Sequence, residues 1–343
     1  MPHCTTDRRS SPRRPLAASA LLQALLSTAV VLLPSSCQTA EADREDQLLE
    51  IYTNTAESYY QLGDHDRAVG QALKALELDP DNEKIKLILG WSLQRRGTTE
   101  DVLRAEQVFR SVVDEGDYRA SLGLATALER QGVANAEASE AVGSGKRITE
   151  SSDPAQRAQE LQERSVALWT ESEQWFEHTL EIHKSNLDAL NGLMRVEALL
   201  GKPHASLARS KQMLEELAID RGFWEQLLKR VQGEREEKEI RERIALNENL
   251  EVATRMHAAR TQYGLGRKDE AMNELDTGIG LAPDRADLHA LRALVQRDLG
   301  NWDKAIADAE RFIALSPQGY DSADVKKAFD LISACEAERS RKP

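Results

Sequence analysis

Histidine and carboxylate spacing decide whether this chain could carry out metal-assisted or hydrolytic chemistry. It holds seven histidines. A zinc hydrolase helix sets two of them at i and i+4, on one face, beside a glutamate. The closest pair, His178 and His183 in HTLEIH, is five residues apart, and on a helix those rings point in different directions. GSGKR, Gly143–Arg147, offers a lysine after glycines, as phosphate-cradling loops do. Such a loop needs glycine where Glu140 stands, serine or threonine where Arg147 stands, and a preceding strand. Carboxylates are abundant, at 58, but runs such as EREEKE at Glu234–Glu239 read as a solvated helix face laced by i,i+4 pairs. No catalytic residue, metal ligand or cofactor site is expected. A hydrolase would need a site assembled only in three dimensions.

Of the three cysteines, Cys4 lies in the N-terminal segment, and Cys335 reads as a small apolar side chain between helices. Cys37 is different. Arg8, Arg9, Arg13 and Arg14 precede the mainly apolar run from Leu16 to Leu33, 18 residues long. Small residues and then acidic ones follow it. A basic segment, an apolar segment and small residues before a cut describe a secretion signal over residues 1–36; an uncleaved membrane anchor is the other reading. Cys37, directly after Ser35 and Ser36, resembles the lipobox of bacterial lipoproteins, although Pro34 stands where leucine is usual. That resemblance implies a diacylated Cys37 as the first mature residue. Gln38 after it, rather than aspartate, implies the periplasmic face of the outer membrane.

The net charge is −13, and removing four arginines and one aspartate with residues 1–36 takes it to −16. A chain this acidic is poorly suited to nucleic acid, whose binding rests on neutralising phosphates. The 30% of charged and 5% of aromatic residues, with abundant Ala and Leu, favour an all-α fold.

One pattern recurs along that fold. AESYYQLGDHDRAVGQALKALELDPDN begins at Ala56 and places Gly63, Ala68, Ala72 and Pro80 at fixed offsets. Ala293, Gly300, Ala305, Ala309 and Pro317 repeat them, and Ala259, Gly266, Ala271, Leu275 and Pro283 do so again. Small residues let two helices approach, the glycine ends the first helix, and the proline stops the second. This resembles the tetratricopeptide repeat, a 34-residue helical hairpin. The resemblance implies a helical-hairpin solenoid in which each pair buries its apolar stripe against its neighbours. Weaker copies carry Leu89, Gly90, Gly97, Ala105 and Phe109, then YRASLGLATALERQG with ESEQWFEHTLEIHKSN, then LDALNGLMRVEALLGKPHASLARSKQMLEEL.

The expected organisation is a signal at 1–36, a flexible linker at 37–46, a first repeat block at 47–216, connecting long helices at 217–250, a second block at 251–317, and a capping helix with tail at 318–343. Residues 133–153, rich in Ala, Ser, Gly and charge, lack apolar periodicity and are expected to form a long inserted loop. Ser152 or Asp153 would open the helix beyond it, with Pro154 in the first turn. Gly233 is the weak point of the connecting helices. The capping helix is expected to open at Ser322 or Asp321 and to bury Val325, Phe329 and Ile332.

The resemblance also implies a binding surface. In the family, positions 2, 5, 9, 12 and 13 of each repeat project from the first helix into a concave groove. Carried over, these positions give Glu57 and Tyr60 in the first copy. The second gives Lys84, Leu87, Trp91, Gln94 and Arg95, and the third Arg119, Leu122 and Arg130. An aromatic with arginines is the composition of a binding hot spot; Trp91 packed between helices is the alternative. The family's chaperone-tail clamp needs lysine and asparagine where Thr53 and Glu57 stand, so that ligand is not implied. The expected function is a non-enzymatic scaffold binding proteins or peptides through the groove. It would be held to the membrane by lipid and would assist assembly of an envelope complex. The alternative is an adaptor, soluble or anchored, in a secretion or signalling complex.

Overall fold

The computed structural model describes residues 44–113, 116–146, 153–316 and 322–341. The regular structure of these residues is all helical, without strands, and they divide into two compact units at Ser92 and Leu93. The signal segment, Cys37, Ser152, Pro317 and Asp321 lie outside them. No helix among the described residues is long and apolar enough to cross a membrane.

The first unit contains α1, described from 44 to 61, α2 (His65–Leu78), and α3 (Glu83–Arg96) as far as Ser92. Alanine governs how closely α1 and α2 can approach: Ala56, Ala68, Ala72 and Ala75 are all fully buried. The turn between them needs Gly63, which has φ +77°, a conformation that a Cβ disfavours. It lets the Asp64 N–H donate back to the Tyr59 carbonyl at 2.9 Å, capping orphan carbonyls of α1. Asp64 and Asn82 then cap the N-termini of α2 and α3, accepting from the N–H groups of Arg67 and Ile85. Gly97, Gly201, Gly266 and Gly300 repeat the left-handed helix end in the second unit.

The second unit takes in the end of α3 and then α4 (Thr99–Arg110), α5 (Tyr118–Gly143), α6 (Pro154–Ile182), α7 (Leu187–Leu199), α8 (Pro203–Leu228), α9 (Glu234–Gly264), α10 (Lys268–Leu281), α11 (Ala286–Asp298), α12 (Trp302–Leu315) and α13 (Ala323–Arg341). Each helix packs chiefly on its sequence neighbours, as a stack of hairpins requires. Between α5 and α6, Ser139 donates to the Ala158 carbonyl, Ser172 to the Ala125 carbonyl, and Ser121 meets His178. This pairing runs antiparallel over the full length of α5.

The expected inserted loop is therefore shorter than 133–153, because residues 133–143 continue α5. The stretch VANAEASEAVG lacks large apolar residues but is rich in alanine, the best helix former. Its small side chains allow the close approach marked by the 2.6 Å bond from Ser139. Asp153 caps α6 by accepting from the N–H groups of Ala155 and Gln156, with Pro154 in the first turn. Gly233 does not interrupt a helix; it is the N-cap of α9.

Beyond their repeat portions, α8 and α9 pair as an extended antiparallel hairpin. Asn247 donates to the Leu217 carbonyl and to Asp220 at 3.0 Å each, and Glu251 accepts from Arg221 and Arg255. At the C-terminal end, Ser322 accepts from the Val325 N–H and opens α13. Val325, Ala328, Leu331 and Cys335 form the buried face of α13, and Leu331 and Cys335 join Ala293, Ala305 and Ala309 in one core. Phe329, expected on that face, is 44% exposed instead. It lies one position past Ala328, about 100° around the helix from the i, i+3 stripe.

Candidate functional site

In the first unit, Lys84 and Glu57 form an ion pair of 2.7 Å, and the Tyr60 ring stacks obliquely on His65 at 5.7 Å. Leu87 is buried and Trp91 half-buried. In the second unit, Gln94 and Leu122 are buried, while Arg95, Arg119 and Arg130 are exposed. Three of the expected contact residues, Leu87, Gln94 and Leu122, are thus packing residues, because the apolar stripe needed to stack hairpins overlaps the positions assigned to the groove. Gln94 donates its amide to the Gly123 carbonyl, and Arg130 donates to the Gln94 carbonyl, so Arg130 satisfies the C-terminus of α3. Arg119 grips Asp117 through paired bonds of 2.7–3.1 Å. Of the four cations among the expected residues, two are held in ion pairs: Lys84 with Glu57 and Arg119 with Asp117.

The first helices carry a further charged contact, from α5 to α7. Glu129, 6% exposed, accepts a two-pronged bond from Arg195 at 2.7 Å on both oxygens. Burial acts to lower the Arg195 pKa, but the Glu129 carboxylate outweighs it and raises the value. This fork has the strong bidentate geometry that fixes two elements in register.

One serine–histidine pair has hydrolase-like geometry. Ser206 Oγ lies 2.7 Å from His257 Nε2, and also 2.7 Å from the Met194 carbonyl. The carbonyl can only accept, so the hydroxyl donates to it and His257 Nε2–H donates to Ser206. Burial first, and then the charges of Arg195 and Arg260, hold the His257 pKa below its ordinary value. A base whose facing nitrogen already carries hydrogen cannot activate Ser206, which is itself fully buried. The pair is packing between α7, α8 and α9. Among the described residues, no group of three or more His, Cys, Asp or Glu side chains is placed to hold a metal.

An open feature of the second unit is a cavity of about 430 Å³ lined by α9, α11, α12 and α13. Four alanines, Ala290, Ala293, Ala309 and Ala328, leave the space, and Leu291, Leu294, Leu331 and Phe312 give it apolar walls. Arg260, Asp287, Asp324 and Lys327 stand at its charged margin. Asp287 is held by Arg285 at 3.0 and 2.6 Å. That bond keeps its pKa below the usual carboxylate range, with burial opposing and the Arg260 charge assisting. Asp324 is paired with Lys327 at 2.9 Å. Arg260 is exposed and forms no ion pair among the described residues. An apolar chamber of this size with few polar groups falls within the usual range of ligand sites, roughly 300–1,000 Å³. The sequence reading missed it because the groove offsets were carried only onto the first three copies. Applied to the frames beginning at Val252 and Ala286, the same offsets yield Arg260, Asp287, Ala290 and Leu294.

Tetratricopeptide-repeat family models match residues 49–82 and 257–320. Those two segments carry tetratricopeptide repeats. Among solved structures, PilW, described as a widely conserved type IV pilus biogenesis factor, is 16% identical with a TM-score of 0.51, the match covering 82% of this chain and 99% of PilW. Pseudomonas aeruginosa pilF is 14% identical with a TM-score of 0.49, over 83% of this chain and 98% of that one. YrrB, described as a TPR protein with an unusual peptide-binding site, is 16% identical with a TM-score of 0.46, over 76% and 97%. No curated protein matches the chain by sequence. The likeness to PilW bears on the fold, which is an all-α TPR-type solenoid of helical hairpins ending in α13. Tetratricopeptide repeats bind proteins and peptides, and the cavity lies on the first-helix side of two matched repeats.

Proposed function

We propose that this protein is a non-enzymatic scaffold, held to the cell envelope by a lipid on Cys37, that captures a partner protein during assembly of an envelope or membrane complex. The observation that carries the binding half is the apolar cavity beside α11, with Arg260 at its margin. The repeat fold presents such surfaces on its first helices and supplies no chemistry of its own. The anchoring half rests on the sequence: four arginines, an apolar run and Ser35-Ser36-Cys37. The periplasmic face of the outer membrane fits Gln38 after the cysteine, and the fold shared with a pilus biogenesis factor is in keeping with an assembly role.

Metabolic labelling with an alkyne fatty acid, followed by co-purification from detergent-extracted membranes, tests both halves. The wild-type chain is expected to take up label, to fractionate with membranes and to bring down a protein partner in near-stoichiometric amount. Cys37→Ser is expected to abolish labelling and release the chain from the membrane. Unchanged labelling and fractionation in Cys37→Ser would refute the anchor, and absence of any stoichiometric partner would refute the scaffold.

A further inference from the structure

α1 buries one face and leaves a second, apolar stripe in water. On the packed side Ala56 is fully buried, Glu57 pairs with Lys84 of α3, and Tyr60 meets His65 of α2. Beside that face Leu48, Ile51, Tyr52, Thr55, Tyr59 and Leu62 recur at i, i+3, i+4, i+7, i+11 and i+14, which aligns them in one stripe about 100° wide. Ile51 is 56% and Leu62 78% exposed. Cations flank the stripe. Lys74 of α2 sits over the Tyr52 ring at 5.7 Å, and Arg67 over the Tyr59 ring at 5.6 Å, so the exposed face of α2 that carries both cations joins the stripe. Arg44 stands four residues before Leu48, at the N-terminal end of the stripe. Acidic groups are sparse here: Asp64 pairs with Arg67 at 3.4 Å, and Glu45 borders the stripe, while Asp46 and Glu50 lie on the far side of α1. The face is net positive on a chain of net charge −13.

Resting on the lipid-anchor reading, we infer that this face of α1 and α2 lies flat on the bilayer that holds the lipid of Cys37, with Ile51 and Leu62 entering the boundary between headgroups and acyl chains and with Arg67 and Lys74 meeting anionic headgroups. Seven residues separate Cys37 from Arg44, a reach of at most about 25 Å when fully extended, so an acylated Cys37 keeps the start of α1 close to the surface. Leucine, isoleucine and tyrosine on one helix face with cations beside them is the composition that rests at this boundary. No described helix is long and apolar enough to cross a bilayer, so the stripe lies on the membrane rather than spanning it. The overall negative charge does not oppose the contact, because charges farther away than a Debye length, about 8 Å at physiological salt, are largely screened. A second copy fits this face less well: a two-fold contact sets a patch on itself and would bring its cations together.

The test uses the acylated full chain, purified from membranes and reconstituted into vesicles of phosphatidylethanolamine and phosphatidylglycerol. Cys335→Ala removes the buried thiol, and Leu62→Cys, Ile51→Cys or Gln61→Cys then carries a nitrobenzoxadiazole label. A parent chain without the added cysteine should take no label, since acylation blocks Cys37; labelling of that parent would overturn the anchor and the inference with it. The labels at 62 and 51 are expected to shift to shorter wavelength and to be quenched by lipids bearing a doxyl group on the acyl chain. Gln61 is exposed and about 100° round the helix from Leu62, so its label should keep the emission it has in water. Replacing Arg67 and Lys74, both exposed, with glutamine should lower the ratio of docked to undocked face roughly 25-fold, about fivefold for each charge, at an unchanged circular dichroism spectrum. The same change should have little effect in vesicles of phosphatidylcholine alone. Equal quenching at 61 and 62, or water-like emission at 62 and 51 in a chain that stays on the vesicles, would overturn the inference and leave the anchor standing. A blue shift at 62 without quenching by lipid would mean that protein, a second copy or a partner, covers the stripe, and would overturn it as well. Quenching indifferent to the two glutamines would remove the cations from the contact.

Discussion

Gly192 in α7 is where the packing makes its sharpest demand. A Cβ built there would meet three ring atoms of Phe176 at less than contact distance, and Phe176 is 1% exposed, so the ring has no solvent to move into. Gly222 in α8 is also inside a helix, but a Cβ there meets nothing within 4 Å. Gly→Ala in a helix interior gains about 1 kcal/mol from propensity alone, and both sites receive that gain. Overpacking a filled core costs typically 1–3 kcal/mol, and only Gly192 incurs it. Gly222→Ala is therefore expected to stabilise by about 1 kcal/mol. Gly192→Ala should lie about 1–3 kcal/mol below it, and replacing the ring by a smaller side chain, Phe176→Leu, should recover part of the difference in a double-mutant cycle. Urea unfolding followed by circular dichroism measures the wild type and the four variants. Equal shifts for the two alanine variants, or no coupling to Phe176, would refute the claim that ring-on-glycine contacts join α6 to α7.

Two further outcomes test other parts of the fold. Burial alone would raise the Glu251 pKa, but bonds from Arg255 and Arg221 outweigh it and hold the carboxyl below its ordinary value. A depressed carboxylate contributes stability that is present above the unfolded value, about 4.3, and is lost as pH falls through the folded one. Glu251→Gln should therefore lower stability at neutral pH and flatten the loss between about pH 4.3 and the folded value, as followed by thermal unfolding across that range. Backbone amides of residues 137–143 should exchange as slowly as the middle of α5. Exchange at the rate of a solvated loop would return this segment to the inserted loop expected from sequence.

The repeat was legible because its signals are steric and local. Gly63, Gly266 and Gly300 stand where a left-handed helix end is needed, and Ala68, Ala271 and Ala305 stand where helices touch. Residues 133–143 read as a loop because they show no apolar periodicity, but an alanine-rich helix packs without large apolar residues. The groove assignments suffered from a different ambiguity. A first helix must bury one stripe and offer another, and a family offset does not say which stripe Leu87 or Leu122 joins. Nor does sequence say that Arg119 turns back on Asp117, or that Arg130 reaches the α3 carbonyl of Gln94, since these depend on side-chain reach across a turn or between helices. The cavity was hidden for a related reason: it consists of what alanines leave empty, and emptiness appears only when α13 is set against α11.

The central claim, that the first-helix face of the C-terminal repeats holds a partner protein, is tested most directly by photocrosslinking in living cells. A photoreactive amino acid is placed at Leu294, on the cavity wall, or at Thr277, exposed on α10. The account predicts a discrete higher-mass protein adduct from position 294 that is absent from position 277. Adducts of equal yield at both positions, or none at 294, would contradict it.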